Sequence, residues 1–92
     1  MALSRERFKA SDFDVRVDDY EHGLRRIVKV HILVTPPGYP WKTNIPHAAI
    51  AFDVEKNGSL IFDYVDDFGG IGNERSLVAM AKKYLRSKGY RV

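Results

Sequence analysis

The chain has 92 residues, of which 45% are hydrophobic and none is cysteine. This length predicts one domain over residues 1–92, and the lack of cysteine excludes a disulfide framework, a thiol nucleophile and a thiolate metal site. The formal net charge of +3 does not by itself indicate a nucleic-acid-binding protein. Because residues 1–11 lack the apolar segment of a signal peptide, and no apolar run could span a bilayer, we expect a cytoplasmic protein.

Two strands joined by a tight turn are predicted first. In residues 12–20, apolar side chains alternate with charged ones, which is the period of a half-buried strand. His22 and Gly23 are a plausible two-residue loop, since glycine adopts the positive φ that hairpin turns need. The predicted pairs are Val17 with Val28, Val15 with Val30, Phe13 with Ile32, Asp19 with Arg26, Arg16 with Lys29 and Asp14 with His31.

A proline-rich loop is predicted over residues 35–47. Its four prolines lack a backbone donor, which argues against a central strand. The loop carries Tyr39 and Trp41, with Lys42 directly after them. The two aromatic side chains either cap the open end of the core or anchor a partner, because Trp and Tyr dominate binding hot spots.

A second hairpin is predicted to turn at Asn57 and Gly58, the strongest hairpin dipeptide. A two-residue turn would place Asp63 on the apolar face, whereas a three-residue loop with a bulge places Asp53, Glu55 and Asp63 together outside. We favour the second register because the first buries a carboxylate without a partner. It pairs Val54 with Leu60, Phe52 with Phe62 and Ile50 with Tyr64.

One helix is predicted after a glycine-rich link at residues 69–72. Asn73 is a suitable N-cap, and Gly89 ends the helix where a left-handed residue is commonly required. At about 100° per residue, the apolar side chains fall within an arc of roughly 160°. They are Leu77, Val78, Met80, Ala81, Tyr84 and Leu85.

These elements predict an α+β fold. It consists of a four-stranded, mainly antiparallel sheet, made of two hairpins, with one C-terminal α-helix packed on one face. The strands carry most of the acidic residues, and the helix carries basic residues on its outer side, so the molecule can present faces of opposite sign.

No catalytic or metal-binding constellation is recognisable. The three histidines are spread over a turn, a strand and a loop end, and no nucleophile is identifiable beside His31. The carboxylates lack the short fixed spacing of a calcium loop. We therefore expect a non-enzymatic protein with no cofactor, no metal and no small-molecule substrate.

A short, single-domain chain with separate acidic and basic faces resembles, in size and general style, the small phage-encoded inhibitors of bacterial defence, anti-CRISPR proteins among them. The resemblance implies an inhibitor that acts in the cytoplasm of a bacterial host. It would dock on a CRISPR-type RNA–protein complex and block binding of target nucleic acid. Its acidic residues would engage a cationic surface of that complex, and its basic residues would contact guide RNA or acidic protein.

The glycine-flanked start of the basic helix also resembles about twenty residues of the double-stranded-RNA-binding domain, at Gly70, Gly72, Lys82 and Lys83. The chain departs from that family where Glu74 and Arg75 stand in place of two adjacent lysines at the helix start, and no clear first helix is predicted. This resemblance implies the alternative function, a stand-alone module that binds double-stranded nucleic acid through the helix. The predicted binding residues are the acidic Asp12, Asp14, Asp18, Asp19, Glu21, Asp53, Glu55 and Asp63, the loop residues Tyr39, Trp41 and Lys42, and the basic Arg75, Lys82, Lys83 and Arg86.

Overall fold

The computed structural model describes residues 13–35, 38–41, 45–67 and 74–92. The predicted glycine-rich link and the N-cap Asn73 lie outside the described residues. So do Asp12 and Lys42 of the predicted binding residues.

One antiparallel sheet and one helix make up the fold, which confirms the predicted α+β class. The four strands lie in the sheet in their order along the chain. They are β1 (Phe13–His22), β2 (Arg25–Val34), β3 (Ile45–Val54) and β4 (Leu60–Asp67), followed by α1 (Glu74–Ser87).

The first hairpin has its loop at Gly23 and Leu24, so the predicted register is wrong by two residues. Gly23 has a φ of 67°, and a glycine in the first position of a two-residue loop suits a type II′ turn. A shift of two residues keeps every side chain on its predicted face. The observed pairs include Val17 with Val30, Val15 with Ile32, Phe13 with Val34, Arg16 with His31 and Asp14 with Leu33.

β3 begins at Ile45, so the prediction of a loop as far as His47 is wrong at this end. The pairing of β2 with β3 shifts between Ile32 and Leu33, and His47 is the extra residue of the bulge. Pro46 is compatible with the strand because bulges are among the few places in a sheet that accept proline.

The second hairpin has the predicted three-residue loop. Gly58 has a φ of 87°, and the N–H of Glu55 donates to the carbonyl of Ser59 at 2.8 Å. A second bulge, at Asp63, was not predicted, and it makes the pairing of Ile50 with Tyr64 wrong. The observed pairs are Val54 with Leu60, Phe52 with Phe62 and, beyond the bulge, Ile50 with Val65 and Ala51 with Tyr64.

The core lies between the sheet and one stripe of the helix. The helix α1 buries only one residue per turn, so its buried stripe is narrower than the predicted apolar arc. Met80 lies outside this stripe and is 44% exposed, so the prediction that it belongs to the apolar face is wrong. Val78 and Tyr84, at the edges of the stripe, are partly buried. The core side chains are Val28, Val30, Ile32, Ala48, Ile50, Phe52 and Leu60 of the sheet and Leu77, Ala81 and Leu85 of the helix.

The helix ends in a Schellman motif at Gly89, as the position of this glycine predicts. Gly89 has a φ of 96°, and its N–H donates to the carbonyl of Arg86 at 3.1 Å. The N–H of Tyr90 donates to the carbonyl of Leu85 at 3.0 Å. These two bonds satisfy carbonyls that the helix leaves without an internal partner.

The last residues return to the sheet, as a short edge strand. Arg91 forms a single parallel bridge with Ser59, and its carbonyl accepts a hydrogen bond from the N–H of Leu60 at 2.8 Å. Arg86 Nε donates to the carbonyl of Val92 at 2.7 Å. The end of the helix is thereby tied to the start of β4.

Candidate binding surface

The helix lies on one face of the sheet, and no described helix or strand packs on the opposite face, which we call the outer face. The alternation of side chains along each strand assigns its residues. On β1 and β2 they are Asp14, Arg16, Asp18, Tyr20, Arg25, Ile27, Lys29, His31 and Leu33, and on β3 and β4 they are Ala49, Ala51, Asp53, Ile61, Asp63, Tyr64 and Asp66.

Lys29 lies at the centre of the outer face, between two tyrosine rings. Its Nζ is 6.0 Å from the centroid of Tyr20 and 5.5 Å from that of Tyr64. In the sheet, Ala51 lies between Lys29 and Tyr64 and is fully buried. The lysine side chain therefore extends over Ala51 to reach the ring of Tyr64. Hydrogen bonding to Tyr64 raises the pKa of Lys29, partial burial opposes this, and Tyr20 adds to the rise. The cation is therefore held between the rings, a geometry that cation–π attraction favours.

Arg25 connects two acidic residues at one end of the outer face. Its guanidinium forms an ion pair with Asp53 and a second one with Asp63, at 3.3 Å. The bulge explains why Asp63 can join this cluster, because the extra residue keeps its side chain on the same side as Asp53. These two carboxylates are partly neutralised within the molecule.

The carboxylates of β1 are less tightly held. Asp14 Oδ2 is 3.6 Å from Arg16 Nε, and Asp18 Oδ2 is 3.9 Å from His31 Nε2. The predicted pairing of His31 with Asp14 is wrong, because the register shift brings Asp18 to it instead. The Asp18 side chain is 65% exposed, so most of its surface is available to a partner.

Asp19 projects from the side of the sheet that faces the helix. It accepts hydrogen bonds from Arg26 Nε at 2.9 Å and Nη2 at 2.8 Å, and from the Tyr90 hydroxyl at 3.2 Å. Asp19 and Arg26 are diagonal neighbours, since Asp19 lies directly opposite Val28. The bond from Arg26 lowers the pKa of Asp19, while burial opposes this. This carboxylate links the first hairpin to the segment after the helix.

The remaining predicted binding residues are distributed over the surface. Glu21 and Glu55 are exposed near the two hairpin turns. Tyr39 is 52% exposed and Trp41 is 69% exposed. An indole with this exposure does not cap the core, and the role of Trp41 as a partner anchor stays a prediction.

The basic residues of the helix lie on the opposite side of the molecule from the outer face. Arg75, Lys83 and Arg86 are exposed, and Lys82 is half-buried. The described part of the chain therefore has two faces of different charge, separated by the core.

The aromatic centre of the outer face was not among the predicted binding residues. The alternation of β1 and β2 already places Tyr20 and Lys29 outward, so this part could have been found in the sequence. Tyr64 could not, because the predicted pairing with Ile50 assigns it to the core, and only the bulge at Asp63 turns it outward.

Within the described residues, no group of three or more histidine, aspartate or glutamate side chains could hold a metal ion. No helix in the described part of the chain is long and apolar enough to cross a membrane. In comparisons with known proteins, no family model, no curated protein and no solved structure matches the chain.

Proposed function

We propose that the chain is a small non-enzymatic inhibitor that docks on a bacterial RNA–protein defence complex. The complex is of the CRISPR surveillance type, and docking blocks its binding of target nucleic acid in the cytoplasm of the host. The observation that carries the proposal is the composition of the outer face, where exposed carboxylates surround an aromatic centre. Such a face is complementary to the cationic surface with which a nucleoprotein complex binds its target.

The outer face is negatively charged although the whole chain is not. Among its described residues, aspartates outnumber lysines and arginines. This excess supports contact with cations and opposes contact with phosphates. The aspartates are Asp14, Asp18, Asp53, Asp63 and Asp66, and the cations are Arg16, Arg25 and Lys29.

The centre of the face has the composition of a protein-binding site. Tyr64 is 41% exposed and Ile61 is 53% exposed on β4, and Tyr20, on β1, is partly exposed on the other side of Lys29. Protein interfaces place aromatic and aliphatic side chains at the centre and polar ones at the rim. A purely electrostatic mimic of nucleic acid would not need the apolar centre, so we propose a protein surface as the primary partner.

The alternative function is a stand-alone module that binds double-stranded nucleic acid through the helix. It is supported by the exposed Arg75, Lys83 and Arg86, which lie on one side of α1. In the inhibitor, the same residues contact guide RNA or acidic protein. The two functions differ in whether naked duplex is bound.

A gel-shift experiment with reconstituted complexes separates these functions. Guide-loaded CRISPR complexes of several types are incubated with the purified chain and then with labelled target duplex. We expect at least one type to lose target binding when the chain is added first, because the docking surface is then already occupied. Labelled duplex without complex should not shift.

Two results would contradict the proposal. One is unchanged target binding by every complex type at saturating concentrations of the chain. The other is tight, salt-sensitive binding to naked duplex, which is typical of phosphate contacts and would favour the alternative. Parallel lanes at low and at physiological salt concentration separate weak nonspecific binding from the second result, because weak binding is lost at the higher salt concentration.

A further inference from the structure

The free edge of β1 is the second surface that the structure offers to a partner. Among the described residues, β1 pairs only with β2, and no strand lies along its other edge. It is 10 residues long and contains neither proline nor a bulge, two of the features with which proteins block an edge. Such an edge can accept a further strand.

The hairpin geometry fixes which backbone groups face this edge. His22 and Arg25 close the two-residue loop, so even-numbered residues of β1 direct their N–H and C=O groups to β2. Odd-numbered residues direct theirs to the free edge. The Tyr84 hydroxyl lies 3.4 Å from the Val15 carbonyl, which agrees with this assignment. That carbonyl keeps a second lone pair.

We propose that the free edge of β1 pairs with the same edge of a second copy of this chain. The two strands run antiparallel around a two-fold axis at Val17. In this register, Arg16 of each copy lies opposite Asp18 of the other, on the outer face. The sheet then continues through eight strands, and the proposal does not depend on the proposed function.

The charge pattern of β1 disfavours the two adjacent registers. An axis at Arg16 would place the two Arg16 side chains of the dimer opposite each other. An axis at Asp18 would place the two Asp18 side chains opposite each other. Like charges directly opposite each other destabilise a pair of strands, whereas opposite charges stabilise it. Arg16 is 60% exposed and Asp18 is 65% exposed, and their contacts of 3.6 and 3.9 Å within the chain are loose.

The core side of the edge is also compatible with a second copy. Val17, which lies on the axis, is only partly buried in one chain, so the pairing of the two Val17 side chains removes further apolar surface from water. Val15 of each copy lies opposite Asp19 of the other. The helix packs chiefly on β3 and β4, away from the axis. The Tyr84 hydroxyl lies at the edge itself, 3.4 Å from the Val15 carbonyl, so the second copy would share that carbonyl with Tyr84.

Analytical ultracentrifugation of the full chain tests the proposal through a charge swap. We expect a concentration-dependent dimer. Arg16→Asp alone or Asp18→Arg alone should raise its dissociation constant by about tenfold or more, because each change creates two like-charge pairs. The double variant, with both changes, should restore dimerisation. Lys83→Glu, which alters the net charge as much as Arg16→Asp does, should leave the dimer unchanged.

A chain that stays monomeric at millimolar concentration would overturn the proposal. So would a dimer that both single variants leave intact, because its interface would then lie elsewhere. Weak dimerisation of the double variant, with the same circular dichroism as the wild type, would overturn the Val17 register. Circular dichroism of all four variants verifies that each one folds.

Discussion

The imidazole of His47 lies among apolar side chains where β3 begins. It is 5% exposed, and its ring meets the ring of Phe13 edge-on at a centroid distance of 5.6 Å. Burial lowers the pKa of His47, and the negative charge of Asp67 opposes the shift. The fold therefore favours the neutral imidazole.

Because the pKa of His47 is lower in the folded chain than in the unfolded chain, the unfolded chain binds more protons as the pH falls below about 6.5. We expect the free energy of unfolding to be highest above that pH and to decrease toward pH 5, by at most about 1.4 kcal/mol per pH unit. Urea denaturation at several pH values measures this. His47→Gln should flatten the decrease, while His22→Gln, at an exposed turn, should not. A decrease that survives His47→Gln would contradict this assignment.

Among the elements, the end of α1 depends on the backbone conformation of one residue. Gly89 has a φ of 96°, and a Cβ built on it would meet no atom within 4 Å. Gly89→Ala therefore tests conformation without a clash, and we expect it to lower the free energy of unfolding by about 1–2 kcal/mol. Gly89→Asn should cost less, since asparagine is the next most common residue at this position. Equal stability of Gly89→Ala and wild type in urea denaturation would show that the cap contributes little.

Turn chemistry and alternation were sufficient to predict the order and type of all five elements. The second hairpin loop was correct because, of the two loops that Asn57 and Gly58 allow, only the three-residue loop keeps Asp63 off the apolar face. The first loop was wrong because Gly23 can occupy either position of a two-residue loop, and both choices keep the same face apolar. The bulges at His47 and Asp63 depend on packing across strands, which no local pattern in one strand reveals.

At the scale of the whole molecule, the core separates two surfaces of different charge. The outer face combines carboxylates with the rings of Tyr20 and Tyr64, and the outer side of α1 carries exposed Arg75 and Lys83. The predicted acidic residues only partly form the outer face, because Asp19 is used to hold the last segment in place. We therefore propose docking through the outer face as a whole rather than through every acidic residue of the strands.

The most direct test of the proposed docking compares charge reversals on the two surfaces. Asp63→Lys combined with Asp66→Lys reverses the outer face, and Arg75→Glu combined with Lys83→Glu reverses the helix by the same number of charges. The measured quantity is the dissociation constant of each variant for the complex that wild type inhibits. We predict that the outer-face variant binds at least about tenfold more weakly, because like charges then meet across the interface, and that the helix variant changes little. Loss of binding by the helix variant, with full binding by the outer-face variant, would contradict docking through the outer face.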